Sequence, residues 1–148
     1  MEYHLAQVNI ARMNADIDNP VMSGFFQRLE EINSLADVSK GFVWRFKSDE
    51  GDATYLRPYE DPLILFNMSV WESLDDLKNY VYASTHLELL KAKNDWFTKL
   101  AEAHLALWWI EKDCIPSVEE ALAKLDLIKI KGSSSAAFTF AKPYPKPD

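Results

Sequence analysis

The stretch FNMSVW, Phe66 to Trp71, constrains the fold more than any other part of the chain. Phe66, Met68 and Val70 alternate with Asn67, Ser69 and Trp71, which is the period-2 pattern of a β-strand. One side is wholly apolar and has to meet a core. The other carries two small polar side chains and then a tryptophan. Polar groups at alternate strand positions usually face water, and a tryptophan in the same row does not suit water. The strand therefore reads as occupied on both faces, one of them a mixed polar and aromatic surface.

The rest of the chain supplies its neighbours. Leu5–Ala11 alternates, with Ala6, Val8 and Ile10 on one side and Leu5, Gln7 and Asn9 on the other. Asp18-Asn19-Pro20 offers a polar cap and a first-turn proline. Met22, Phe25, Phe26, Leu29, Ile32 and Ala36 follow at helical spacing. Residues 41–47, GFVWRFK, predict a second strand with Phe42, Trp44 and Phe46 on one face and Val43, Arg45 and Lys47 on the other. Residues 48–62 are rich in Asp, Gly and Pro and read as a long connection before the third strand, Leu63–Trp71. Ser73-Leu-Asp-Asp76 and Thr85-His-Leu-Glu88 are both helix-start signals, so a broken helical region is expected, its second segment running from His86 to about Leu100. His104–Ile110 predicts a fourth strand. Ser117-Val-Glu-Glu120 is a capping box opening a helix that stops at Gly132. The tail, residues 133–148, is too rich in Ser and Pro for a helix and is expected to be extended, docked by Phe138 and Phe140.

This order predicts an α+β fold: a ferredoxin-like βαββαβ unit with an antiparallel sheet and an extra C-terminal helix, in one domain over residues 1–132. Helices are expected on one face of the sheet. The other face carries aromatic residues, and two such faces meeting would make a homodimeric, dimeric α/β barrel.

Charge and composition remove other classes. A net charge of −7 argues against nucleic acid as a partner, because phosphate binding needs clustered Lys and Arg. No apolar run approaches about 18 residues, so no membrane partner or span is expected. The start, MEYHLAQVNIAR, has no basic region followed by a long apolar stretch, so no signal peptide is expected. Cys114 is the single cysteine and has no internal partner, which makes a cytoplasmic location the expectation. The three histidines are far apart, with no HxH, HExxH or CxxC pattern, and no metal site is expected. No glycine-rich phosphate loop or nucleophile elbow is present.

LAQVNIAR, GFVWRF, NMSVWESLDDLKNYVY, the segment from His86 to Trp96-Phe97, and ALWWI at Ala106–Ile110 together resemble the DUF3291 family, from about Leu5 to Phe140. That family resembles a branch of the dimeric α/β-barrel superfamily, which includes antibiotic-biosynthesis-monooxygenase-like proteins. The resemblance implies a small-molecule ligand and a cofactor-independent, monooxygenase-like reaction on an aromatic or electron-rich substrate. The alternative it allows is a non-catalytic ligand-binding or stress-response barrel; haem held by one axial histidine is a third.

The candidate site follows from the mixed face. Gln7, Asn9, Asn67, Ser69 and Trp71 are expected to line a partly polar cavity, with Trp44 and Trp108 as further substrate-binding walls. The competing reading is that the polar groups satisfy one another and the tryptophans are core or interface. His86, at a helix start, is the candidate catalytic residue, a neutral imidazole able to accept a proton. Its structural alternative is a partner for a nearby carboxylate. Arg45 is expected to pair with an exposed carboxylate rather than with an anionic ligand.

Overall fold

The computed structural model describes residues 2–15, 19–20, 22, 34–46, 64–81, 97–98 and 104–147. Among these residues lie five strands, β1 (Tyr3–Met13), β2 (Phe42–Arg45), β3 (Ile64–Trp71), β4 (Phe97–Thr98) and β5 (Leu105–Glu111), with two helices, α1 (Leu74–Val81) and α2 (Val118–Lys131). Pro20, Met22 and residues 34–37 are also helical. Phe25, Phe26, Leu29 and Ile32 of the first expected helix lie outside the described residues.

The sheet runs β2-β3-β1 and then β4 and β5, every pair antiparallel. β5 pairs with Tyr3–Asn9 of β1, and β4 pairs with Arg12 and Met13 further along the same strand. The two share one column, so the sheet is four strands wide, in the ferredoxin-like order. Phe97–Thr98 corrects the expectation of helix to about Leu100. β1 outruns β5, and its last residues need a partner; an aromatic and a β-branched residue supply one.

The two helix starts work as the sequence suggests. Ser73 Oγ accepts from Asp76 N at 3.1 Å, and Ser117 Oγ accepts from Glu120 N at 3.1 Å. α2 ends at Gly132, whose φ of 71° lets its N–H close on the Ile128 carbonyl at 2.8 Å. Gly41 has φ +83°, and the Asp76 side chain occupies the place a Cβ would take.

Pairing register assigns every strand residue to a face. Ala6, Val8, Phe66, Met68, Val70, Ala106, Trp108 and Ile110 form one buried cluster. Leu5, Trp71 and Leu107 belong to the other, together with Ala36, Leu77 of α1 and Phe138 of the tail. Helices were expected on one face only. Instead α2 packs Ala121 and Leu125 against the first cluster, over β5 and β1. The face expected to await a second copy is therefore covered in part by the chain itself.

A part-buried hydrogen bond anchors that helix. Trp108 is 2% exposed, and its Nε1–H donates to Glu120 Oε2 at 2.7 Å. Glu120→Ala leaves the buried indole N–H without an acceptor and is expected to cost about 1–3 kcal/mol. Urea denaturation should show a lower midpoint with an unchanged slope, and Glu120→Gln, which keeps an acceptor, should recover most of the loss.

The tail returns along the other edge. Leu107 and Phe138 exchange both backbone hydrogen bonds at 2.8 Å, and Phe138 is fully buried. Trp109 Nε1–H donates to the Tyr144 carbonyl at 3.1 Å. β5 is thus not left as a bare edge.

Candidate functional site

β1 and β3 place four amide and hydroxyl side chains on the face opposite α2. Gln7 is opposite Ser69, and Asn9 is opposite Asn67. Leu5 and Trp71 form the next row. The side chains make one continuous network. Gln7 Nε2 donates to Asn67 Oδ1 and to Ser69 Oγ, both at 2.8 Å. Asn9 Nδ2 donates to Gln7 Oε1 at 3.1 Å and to Asn67 Oδ1 at 3.3 Å. Trp71 Nε1 donates to Ser69 Oγ at 2.9 Å.

Counting donors and acceptors shows what is left over. Ser69 Oγ accepts twice, so its own O–H remains to donate. Asn67 Oδ1 accepts twice, and its Nδ2 group makes no hydrogen bond within the network. Both protons of Gln7 Nε2 and both of Asn9 Nδ2 are used. Gln7 and Ser69 are 5% and 7% exposed, whereas Asn67 is exposed. The network is closed at its buried end and opens at Asn67 and Asn9, where its own bonds leave the Asn67 NH2 group as a donor and the Asn9 Oδ1 as an acceptor.

The closed end is aromatic. Trp71 is 1% exposed; Phe42 meets it edge-on at 5.5 Å and Tyr80 stacks on it at 5.1 Å. Its N–H is already spent on Ser69, so Trp71 fixes the hydroxyl rather than presenting a donor of its own. Arg45 lies on this side and is held bidentately by Asp37, at 2.8 and 3.3 Å, as the carboxylate reading expects. Burial pushes the Tyr80 phenol up to about 12; Arg45 pulls it down and Asp37 adds to the rise. A raised folded-state value means that stability from neutral Tyr80 is complete below pH 10 and is lost as pH rises toward 12. Alkaline absorbance titration should show one tyrosine ionising late, together with the onset of unfolding.

Gln7, Asn9, Asn67, Ser69 and Trp71 are brought together. Trp44 and Trp108 are not. A register shift between Phe42 and Trp44 turns Phe42 toward Trp71 and sets Trp44 opposite Val70, on the other face. Trp108 is opposite Ala6, also on that face, with its N–H given to Glu120. Phe42, Trp44 and Phe46 therefore do not share a side, because the bulge at Val43 breaks the alternation. His86 and Trp96 lie outside the described residues.

Open clefts are found among the described residues, two of them bordered as follows. One, about 580 Å³, is bordered by Glu2, Tyr3, His4, Phe42, Val43, Glu72, Lys112 and Lys146. Lys112 is paired there with Glu2 at 2.9 Å, and this lysine holds the Glu2 carboxyl below its usual value. The other, about 280 Å³, is bordered by His104, Leu105, Ile128, Thr139, Phe140 and Ala141. Among the described residues no group of three His, Cys, Asp or Glu is placed to hold a metal ion, and no helix is long and apolar enough to cross a membrane.

Sequence reading did not give Glu120 its Trp108 partner or bring Leu105 beside Phe140. The capping box pointed to Glu120 only as a helix start, and nothing local links Leu105 to Phe140.

A family model described as "Domain of unknown function (DUF3291)" matches residues 4–148. No curated protein matches the chain. Among solved structures, SnoaB from Streptomyces nogalater, described as a cofactor-independent oxygenase, aligns with a TM-score of 0.52 at 14% identity, covering 79% of this chain and 100% of that one. PA3566 from Pseudomonas aeruginosa aligns with a TM-score of 0.50 at 7% identity, covering 77% of this chain and 98% of that one. At such identities the likeness is one of fold.

Proposed function

The chain belongs to the DUF3291 family, and we propose that it binds a small organic molecule over Asn67 and Ser69 and oxidises it as a cofactor-independent, monooxygenase-like enzyme. The observation that carries this reading is the exposed Asn67 NH2 group, which no bond of the network uses. The Asn67 Oδ1 already accepts from Gln7 and Asn9, so this residue meets a ligand with its NH2 group and takes an acceptor oxygen there. A carbonyl fits, and the enolate or phenolate formed when a proton leaves fits better, because fixed donors favour developing negative charge.

The chemistry needs no reductant beyond the substrate. An activated methylene loses a proton to a base, and the carbanion passes electrons to oxygen. The balance is CH2 plus O2 giving C=O plus H2O, with the substrate supplying all the electrons. His86 is the proposed base. The fold shared with SnoaB supports this class of reaction by analogy.

One observation favours a second reading. Among the described residues no titratable side chain hydrogen-bonds to the network, which suits a binding barrel that turns nothing over. Oxygen uptake with anthrone-like and quinol-like substrates separates the two. The enzyme reading expects uptake that His86→Ala abolishes and Asn67→Leu lowers about tenfold or more. Binding of the same compounds with no uptake would leave the barrel as a carrier.

A homodimer stays within the proposal, through the β2–β3 part of the α2-bearing face. Trp44 and Phe46 are only half-buried there, in an edge-to-face row with Phe66. Sedimentation at micromolar concentration reads this directly.

A further inference from the structure

The network face is closed in some rows and open in one. Ser69, Gln7, Leu107 and Phe138 lie in register across the sheet, and all four are buried. In the next row Asn67 is opposite Asn9, and Asn9 is opposite Leu105. All three of these are at least partly exposed. Leu105 also borders the 280 Å³ cleft, whose other walls include Phe140 and Ala141 of the tail and Ile128 of α2. The open row thus runs across the strands from an amide end to an apolar end. The tail builds the apolar end, held in place by the paired Leu107–Phe138 backbone bonds and the Trp109–Tyr144 bond.

We propose that the ligand of this site is an amphiphile, its acceptor oxygen held by Asn67 and its apolar body crossing Asn9 and Leu105 into the cleft between β5 and the tail. The inference rests on reading the Asn67–Ser69 face as the ligand site. Dimensions favour a compact body. From β3 to β5 is two strand spacings, about 10 Å. The cleft is open to solvent on one side, and its 280 Å³ leaves room for a fused two-ring system. Phe140, Ala141 and Thr139 then set the size of the body that fits, and the network sets the polar end.

The probe is 2-acetylnaphthalene, titrated by calorimetry against wild type, Ala141→Phe and Asn67→Leu. Ala141 is exposed, so the added ring fills the cleft without entering the core. Wild type is expected to bind. Ala141→Phe should weaken that binding about tenfold or more while leaving acetophenone, one ring shorter, unchanged. Naphthalene, which lacks the acceptor oxygen, should bind wild type about tenfold more weakly than the ketone. If Asn67→Leu weakens 2-acetylnaphthalene and Ala141→Phe does not, the cleft subsite is wrong and the network reading stands. If acetophenone binds wild type and 2-acetylnaphthalene does not, the same holds. If neither variant affects any probe, both readings are overturned.

Discussion

Trp71→Ala is expected to lower the unfolding free energy by about 3–5 kcal/mol, the largest effect of any single substitution on the site face. The indole is 1% exposed and sits between Phe42 at 5.5 Å and Tyr80 at 5.1 Å, so truncation opens a cavity that two aromatic rings cannot close. It also removes the donor that fills Ser69 Oγ from one side. A second readout follows from the same contact. Burial is what holds the Tyr80 phenol at about 12, so the variant should bring its titration back toward the ordinary tyrosine value of 10.0. Trp71→Phe refills most of the space and should cost less, about 1–2 kcal/mol, leaving Tyr80 largely buried. A loss below about 1 kcal/mol in Trp71→Ala, with Tyr80 still titrating late, would mean that the indole is not the wall described here.

Gln7→Leu is expected to cost about 2–4 kcal/mol and to abolish measurable binding of an acceptor-bearing ligand. Gln7 is the hub: its two N–H groups fill Asn67 and Ser69, and its carbonyl orients Asn9. Leucine at this 5% exposed position leaves the buried Ser69 hydroxyl half-satisfied and takes the internal partner from Asn67 and Asn9. The informative comparison is the triple variant Gln7→Leu, Asn67→Leu, Ser69→Ala. Replacing polar partners together by apolar groups of similar shape can be nearly neutral. If the triple variant is about as stable as wild type yet binds nothing, the polar network serves the ligand. If it is far less stable than Gln7→Leu alone, the network serves the fold, and the ligand reading weakens. Urea midpoints and calorimetry on the same preparations decide it.

Much of the site was legible because strand alternation sorts side chains onto faces. Gln7 and Asn9 share a period, as do Asn67, Ser69 and Trp71, and pairing in register joins the two rows. The capping serines, Ser73 and Ser117, were legible for a similar reason: the signal and its effect lie within one turn. What depended on register or on distant chain was not. Trp44 was grouped with Phe42 because alternation hides a bulge, and the shift at Val43 sends the two to opposite faces. Trp108 and Trp109 differ by one residue, and only pairing with Ala6 and Leu5 says which faces the network. α2 was foreseen as a helix with the right ends, yet nothing local tells a helix which side of a sheet it will cover. The Leu105–Phe140 cleft depends on the tail crossing beside β5, a contact between segments more than thirty residues apart.

The most direct test of the central claim is a titration of the 15N-labelled protein with 2-acetylnaphthalene, followed through the assigned side-chain amide signals. Among the described residues the Asn67 NH2 group at the mouth of the network meets no acceptor, so its signals should shift and saturate with the ligand. The Gln7 NH2 signals, already bonded inward, should move little. Saturable shifts confined to residues around Glu2, His4, Lys112 and Lys146, with the Asn67 amide unmoved, would place the ligand in the other cavity and contradict the account.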